Sequence, residues 1–184
     1  MRIHLVSMLL VIPQFVLAQF GLVWFTVGFG WSALAAGALV SLAQFVGALG
    51  RIGAGVWSDR VASRLYPLRM VAIACVVALL LCAACGVARW DIAAAIAYLV
   101  ASCISVADNG LAFTAVAELA GGHWAGRALG IQNTGQYVAS AAVGPVFGGL
   151  IALLGMPGAL AVAAVAPALA TPLVPHRRSE VPAR

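Results

Sequence analysis

The sequence predicts an all-α membrane protein of six transmembrane helices, and three observations carry that prediction. The 184 residues are 64% hydrophobic and only 8% charged, with a mean hydropathy of +1.09, whereas a soluble domain carries roughly 25% charged residues. The apolar residues fall into runs of about 20 or more, the length a helix needs to cross a bilayer. No run shows the period-two alternation of a barrel strand, and a helical bundle is the other way to satisfy backbone polar groups in lipid. Finally, the charges between the runs are one-sided, as membrane topology requires.

The six runs are expected at about 3–29, 32–58, 68–88, 92–116, 126–154 and 157–174 of residues 1–184, read as a single transmembrane domain. The longer ones are expected to tilt or to extend past the bilayer. Met1-Arg2-Ile3-His4 before an apolar run, with Val16-Leu17-Ala18 as a small-residue site, imitates a signal peptide. The apolarity continues well past Ala18, so an uncleaved first helix is expected. The outer connections, Gly30-Trp31 and Gly155-Met156, suit tight helical hairpins. Trp24, Trp31, Trp57, Trp90 and Trp124 stand mostly near run ends, as interfacial anchors do.

The formal charge of +5 comes entirely from arginine. With six spans both termini share a side, which holds Arg2, Arg60, Arg64, Arg69, Arg127, Arg177, Arg178 and Arg184, while the other side holds Arg89. Both termini are therefore expected to be cytoplasmic, in a plasma or bacterial inner membrane. Nucleic acid is excluded as a partner, because it needs a basic face and these arginines are separated by apolar runs. Cys75, Cys82, Cys85 and Cys103 all lie inside apolar runs. Cys82-x-x-Cys85 has no second pair or histidine nearby, so no metal site and no cofactor are expected.

Polar content divides the spans. The first carries Gln14 and Gln19, the second Gln44 and Arg51, the fourth Asp108 and Asn109, and the fifth Gln132, Asn133 and Gln136; the third has no strongly polar side chain and the sixth only Thr171. The order wet, wet, dry, repeated, reads as a 3+3 inverted repeat. Polar groups in hydrocarbon need a partner or a wet space, so spans one, two, four and five are expected to line a cavity, with three and six facing lipid. Gln132, Gln136 and Ser140 recur at i, i+4, i+8, with Asn133 and Tyr137 alongside. This face suits either inter-helix hydrogen bonds or solute contact. Arg51 suits either snorkelling to the interface or binding an anionic solute. Asp108, near mid-span, suits either a static hydrogen bond or the carriage of a proton in a coupled cycle.

After the second span comes Gly55-Val56-Trp57-Ser58-Asp59-Arg60-Val61-Ala62-Ser63-Arg64. It resembles the signature loop G-x-x-x-D-R/K-x-x-G-R/K of the major facilitator superfamily (MFS), with Ser63 where the family usually has glycine. The short start, the basic tail 176–184 and the segment 118–127 entering the fifth span are similar to the C-terminal six-helix half of such a transporter, helices seven to twelve. The resemblance covers nearly the whole chain. It implies secondary active transport of a small solute by alternating access, as half of a transporter. Gly55, Asp59, Arg60 and Arg64 would form a gating loop, and Arg51, Asp108, Asn109, Gln132, Asn133, Gln136, Gln14 and Gln44 are the candidates for the cavity.

The implied partners are membrane lipid, the small-molecule solute, and a missing N-terminal half or second copy docked on the faces of Gly47, Gly50, Gly144 and Gly148. Two alternatives remain: a truncated, non-autonomous fragment that needs a partner half, and an intramembrane enzyme. Against the enzyme, no G-x-S-G occurs, Asp108 has no acidic partner in another span, and His4, His123 and His176 stand at termini or in a loop.

Overall fold

The computed structural model describes residues 2–175; Met1 and the basic tail with Arg177, Arg178 and Arg184 lie outside them. The protein is all-α. Helix α1 covers Arg2–Val23 and passes into a π-helical turn at Trp24–Gly28. Helices α2, α3 and α4 cover Ala33–Arg60, Leu65–Val87 and Asp91–Ala120. Helix α5 covers Ala125–Ala163 and α6 Val165–Leu173.

Among the described residues, five helical stretches are long and apolar enough to cross a membrane, and the last, Ala125–Leu173, has 49 residues. A straight helix of that length would measure about 73 Å at 1.5 Å per residue, over twice a bilayer core. It is not straight, because Gly155 takes φ 70°, ψ 170°, a backbone conformation that suits only a residue without Cβ. The two arms run in opposite directions. Before the break, Gln136 meets Ser7 and Gly144 approaches Gln19, so this arm is parallel to α1. After it, Pro157 packs beside Gly86 at the end of α3, and the carbonyl of Val174 accepts from Arg69 Nη2 at 2.7 Å near the start of α3. The expected six runs thus appear as five helical stretches, the last folded back on itself.

Helices in lipid gain little from burying apolar surface against one another and are held by close packing. Helix α4 is the centre of that packing. Its stripe of Ala94, Ala101, Ser105, Asp108, Ala112 and Ala115 is buried, and small side chains there let neighbouring backbones approach. Tyr98 is fully buried, donates from its hydroxyl to the carbonyl of Leu17 at 3.1 Å, and lies against Gly21, where a Cβ would enter the ring. On another face of α4, Cys103 and Val106 sit over Gly50 and Gly47 of α2. Those two glycines were expected to meet a partner half. The correction is that they make the α2–α4 contact inside this chain, whereas Gly53, Gly55 and Gly148 have open space where a Cβ would project.

Two further expectations need adjusting. Trp24 is not an interfacial anchor but is 5% exposed, packed against Phe25 and Phe29 with ring centroids 5.0 and 5.6 Å away. The π-helical turn carries the ring inward. Helix α3 is also more enclosed than α2, the least enclosed of the long helices. The exposed large side chains of α3 beyond its first turn, such as Ile73, Val77, Leu80 and Leu81, are all apolar, while α2 exposes Gln44 and Arg51 among apolar residues.

At the end where α1 joins α2, Arg89 Nη2 donates to the carbonyl of Gly28 at 3.2 Å, and Trp31 Nε1 to Asp91 Oδ2 at 3.4 Å. These bonds tie the α1–α2 connection to the α3–α4 connection. The Tyr98–Gly21 contact offers a test of the close packing. Gly21→Ala should destabilise the protein by about 1–3 kcal/mol, as overpacking does, and Tyr98→Phe by about 0.5–1.5 kcal/mol through loss of one hydrogen bond. Reversible unfolding in mixed micelles, followed by tryptophan fluorescence, measures both.

Candidate functional site

Two sites stand out. The first is a lateral groove of about 280 Å³ lined by Val11, Gln14, Phe15, Arg51, Asn109, Phe113, Asn133, Gln136 and Tyr137. Four helices supply polar groups to it: Gln14 from α1, Arg51 from α2, Asn109 from α4, and Asn133 and Gln136 from α5. Asn109 Nδ2 donates to Gln14 Oε1 at 2.9 Å, and Gln136 Nε2 donates to Asn109 Oδ1 at 3.2 Å and to Ser7 Oγ at 2.5 Å. This chain of amides ties α1, α4 and α5 together and satisfies groups that would otherwise be costly in hydrocarbon. Arg51 is exposed and forms no ion pair among the described residues. It lies eight residues before Asp59, about 12 Å farther back along α2. A guanidinium in that position offers several donors to an anion.

Five of the eight cavity candidates therefore meet in one groove, and three do not. Gln44 is exposed on α2 and is not part of the lining. Gln132 is 1% exposed and is buried on one face of α5 with Gln136 and Ser140. The i, i+4 spacing placed these residues on one face but could not say that the face turns inward. Asp108 is 1% exposed, in the small-residue stripe of α4, one helical step round from Asn109. Both its carboxyl oxygens lack a hydrogen-bond partner among the described residues. Arg51 on α2 and Cys75 on α3 are among the described ionisable groups within its electrostatic reach.

The second site is a larger cleft of about 660 Å³ at the end where α2 finishes and α3 begins. It holds the loop singled out in the sequence. Arg64 Nη1 pairs with Asp59 Oδ1 at 2.5 Å and donates to Ser58 Oγ at 3.0 Å, while Arg64 Nε pairs with Glu118 Oε1 at 3.2 Å. The hydrogen bond to Asp59 is the main reason the Arg64 guanidinium holds its proton more tightly than a free arginine; burial opposes this, and Glu118 adds to it. Arg64 thus clasps the end of α2 to the end of α4. Ser58 Oγ donates to the carbonyl of Ser63 at 3.0 Å, closing the loop on itself.

The left-handed residue of this loop is Ala62, with φ 48°, so position 63 does not require glycine. Ser63 Oγ instead accepts from the N–H of Tyr66 at 3.4 Å, at the start of α3. Arg60 is exposed and makes no ion pair among the described residues. Gly55 lies within α2 beside open space. Glu118 was not singled out from the sequence. The available signal was that, apart from Asp59 and the tail's Glu180, it is the only acid placed at the arginine-rich end. No group of three or more metal-ligating side chains occurs among the described residues.

Comparison with known proteins follows the same direction. A sequence model of the Major Facilitator Superfamily matches residues 2–143. Two relatives from strains of Mycobacterium tuberculosis, both named as an uncharacterized MFS-type transporter (Rv2994 and MT3072), are 48% identical to this chain over 178 residues. The alignment covers 96% of this chain and 39% of each relative, so the chain spans well under half the length of the proteins it matches. With the family match over most of its length, the all-helical membrane architecture and that identity, the chain belongs to the Major Facilitator Superfamily of membrane transport proteins.

Proposed function

We propose that this chain acts as one six-helix half of a secondary active transporter that moves a small organic anion by alternating access. The observation that carries the reading is the groove itself, where Arg51 stands among Gln14, Asn109, Asn133 and Gln136 from three other helices. A cation with no ion pair among the described residues, set among neutral amides, suits a small anion, with the amides setting its orientation. Asp108 is the proton carrier in this reading. A carboxyl that forms no ion pair among the described residues can change its protonation without breaking one, and Arg51 lies within its electrostatic reach. Proton binding at Asp108 and anion binding at Arg51 would then be coupled. The Asp59–Arg64–Glu118 clasp is the gate, made in one conformation and broken in another. Both chain ends face the cytoplasm, which the crowding of arginine at that end supports.

A second reading is that the chain transports only when paired with another half. The sparse enclosure of α2 and the open space beside Gly53, Gly55 and Gly148 favour it, because an alternating-access site is closed between two halves.

Uptake into proteoliposomes under a pH gradient separates these readings, with the chain reconstituted alone or co-expressed with a second six-helix half. Arg51→Ala should weaken the apparent affinity for an anionic solute roughly 10- to 100-fold, the worth of a charge-assisted contact. Asp108→Asn should abolish the response to the pH gradient while solute exchange continues. Absence of saturable uptake from both preparations would sink the transport proposal.

The clasp has its own test. Each of its exposed ion pairs is worth no more than about 1 kcal/mol, so Arg64→Ala should change the melting temperature little. It should broaden the distance distribution between spin labels at Val61→Cys and Leu119→Cys, and an unaltered distribution would show that Arg64 does not hold the two helix ends together.

A further inference from the structure

The seam between α1 and α5 carries polar groups that neither the groove nor the clasp uses. Its register is well defined. Gln136 Nε2 donates to Ser7 Oγ at 2.5 Å, and a Cβ on Gly135 would lie 3.1 Å from the sulfur of Met8. The two helices are parallel here, so one turn toward their starts from Met8 leads to His4, and three residues back from Gly135 leads to Gln132. The helical faces agree as well: His4 lies between Ser7 and Met8 around α1, and Gln132 between Gly135 and Gln136 around α5. His4 and Gln132 therefore face each other across the seam.

Both carry buried groups without partners. Gln132 is 1% exposed, and neither its Oε1 nor its Nε2 has a hydrogen-bond partner among the described residues; the same holds for the buried Nδ1 of His4. No direct hydrogen bond joins these two polar side chains. Buried groups in that position are commonly joined through ordered water, which needs two to four polar partners.

We propose that the α1–α5 seam is a water-binding site, in which ordered water bridges His4 and Gln132. The bridge prolongs the chain Ser7–Gln136–Asn109–Gln14 by one turn, so that hydrogen-bonding groups run from near the start of α1 to the groove. His4 to Gln14 covers ten residues, about 15 Å of helix. Such a seam supplies a wet route along α1 that is separate from the groove's open side. This proposal stands independently of the transport reading, since it concerns hydration of the folded chain and not a solute.

Met8, half-buried on the same seam, is the reporter. Millisecond X-ray radiolysis of the protein in detergent generates hydroxyl radicals from bound water, and sulfoxide at Met8 is read by mass spectrometry. Labelling of Met8 is expected in the unaltered protein and should fall several-fold in Gln132→Leu, with His4→Phe as a second variant should the first fail to fold. Equal labelling in the unaltered protein and the variants, or none at Met8, overturns the proposal. Thermal unfolding gives an independent reading. A dry seam predicts that Gln132→Leu raises Tm, because two unpaired polar atoms are removed. A hydrated seam predicts no rise, because the bridging water loses partners. A raised Tm therefore also counts against the site.

Discussion

The rest of this structure depends on the close approach of neighbouring helices to α4. In lipid there is little hydrophobic gain from bringing one apolar helix to another, so adhesion comes from contacts made at short range. Gly47 and Gly50 bring α2 onto Val106 and Cys103, and Gly21 lets Tyr98 reach the carbonyl of Leu17 on α1. The alanine-rich stripe of α4 lets the remaining neighbours close on the same axis. If any of these contacts were widened by a side chain, α1 and α2 would withdraw from α4, and the groove between them would lose its walls.

That packing sorts the polar residues by consequence. Those at the α1–α4–α5 junction find one another as an amide chain, and Arg51 from α2 faces the same space. Asp108 is turned by one helical step away from the junction and is buried within the small-residue stripe of α4. The difference between a groove residue and an enclosed one is thus a rotation of about 100° on α4. The clasp at the far end obeys another rule. There water is at hand, the pairs are exposed, and each is weak alone. Their value lies in joining the end of α2 to the end of α4 across a loop that contains a left-handed alanine.

Much of the fold was legible because lipid imposes few options. Apolar runs of the necessary length, tight Gly-containing connections and one-sided arginine placement led to an all-helical membrane bundle, and the Gly55–Arg64 pattern led to the family. The turn at Gly155 was legible as well, although the helix continues so closely on either side of it that the two arms form one helical stretch. Less of the site was legible. The sequence separated wet spans from dry ones, and five of its eight cavity candidates share the groove. It missed Glu118, because an acid at a helix end has no pattern of its own until an arginine from another helix is seen beside it.

From the sequence alone come the solvent of this protein, its helical class, its family and the identities of the charges that lipid makes expensive. These follow from composition and from spacing along a chain, which need no knowledge of neighbours. Only the tertiary structure decided which side of each helix is enclosed. It turned Gly47, Gly50 and Gln132 inward, left Gln44 outside the groove, and set Arg64 between two acids on different helices. The physical reason is that periodicity defines a face but not its direction, and in a chain that is apolar nearly all round, direction is chosen by the contacts between helices.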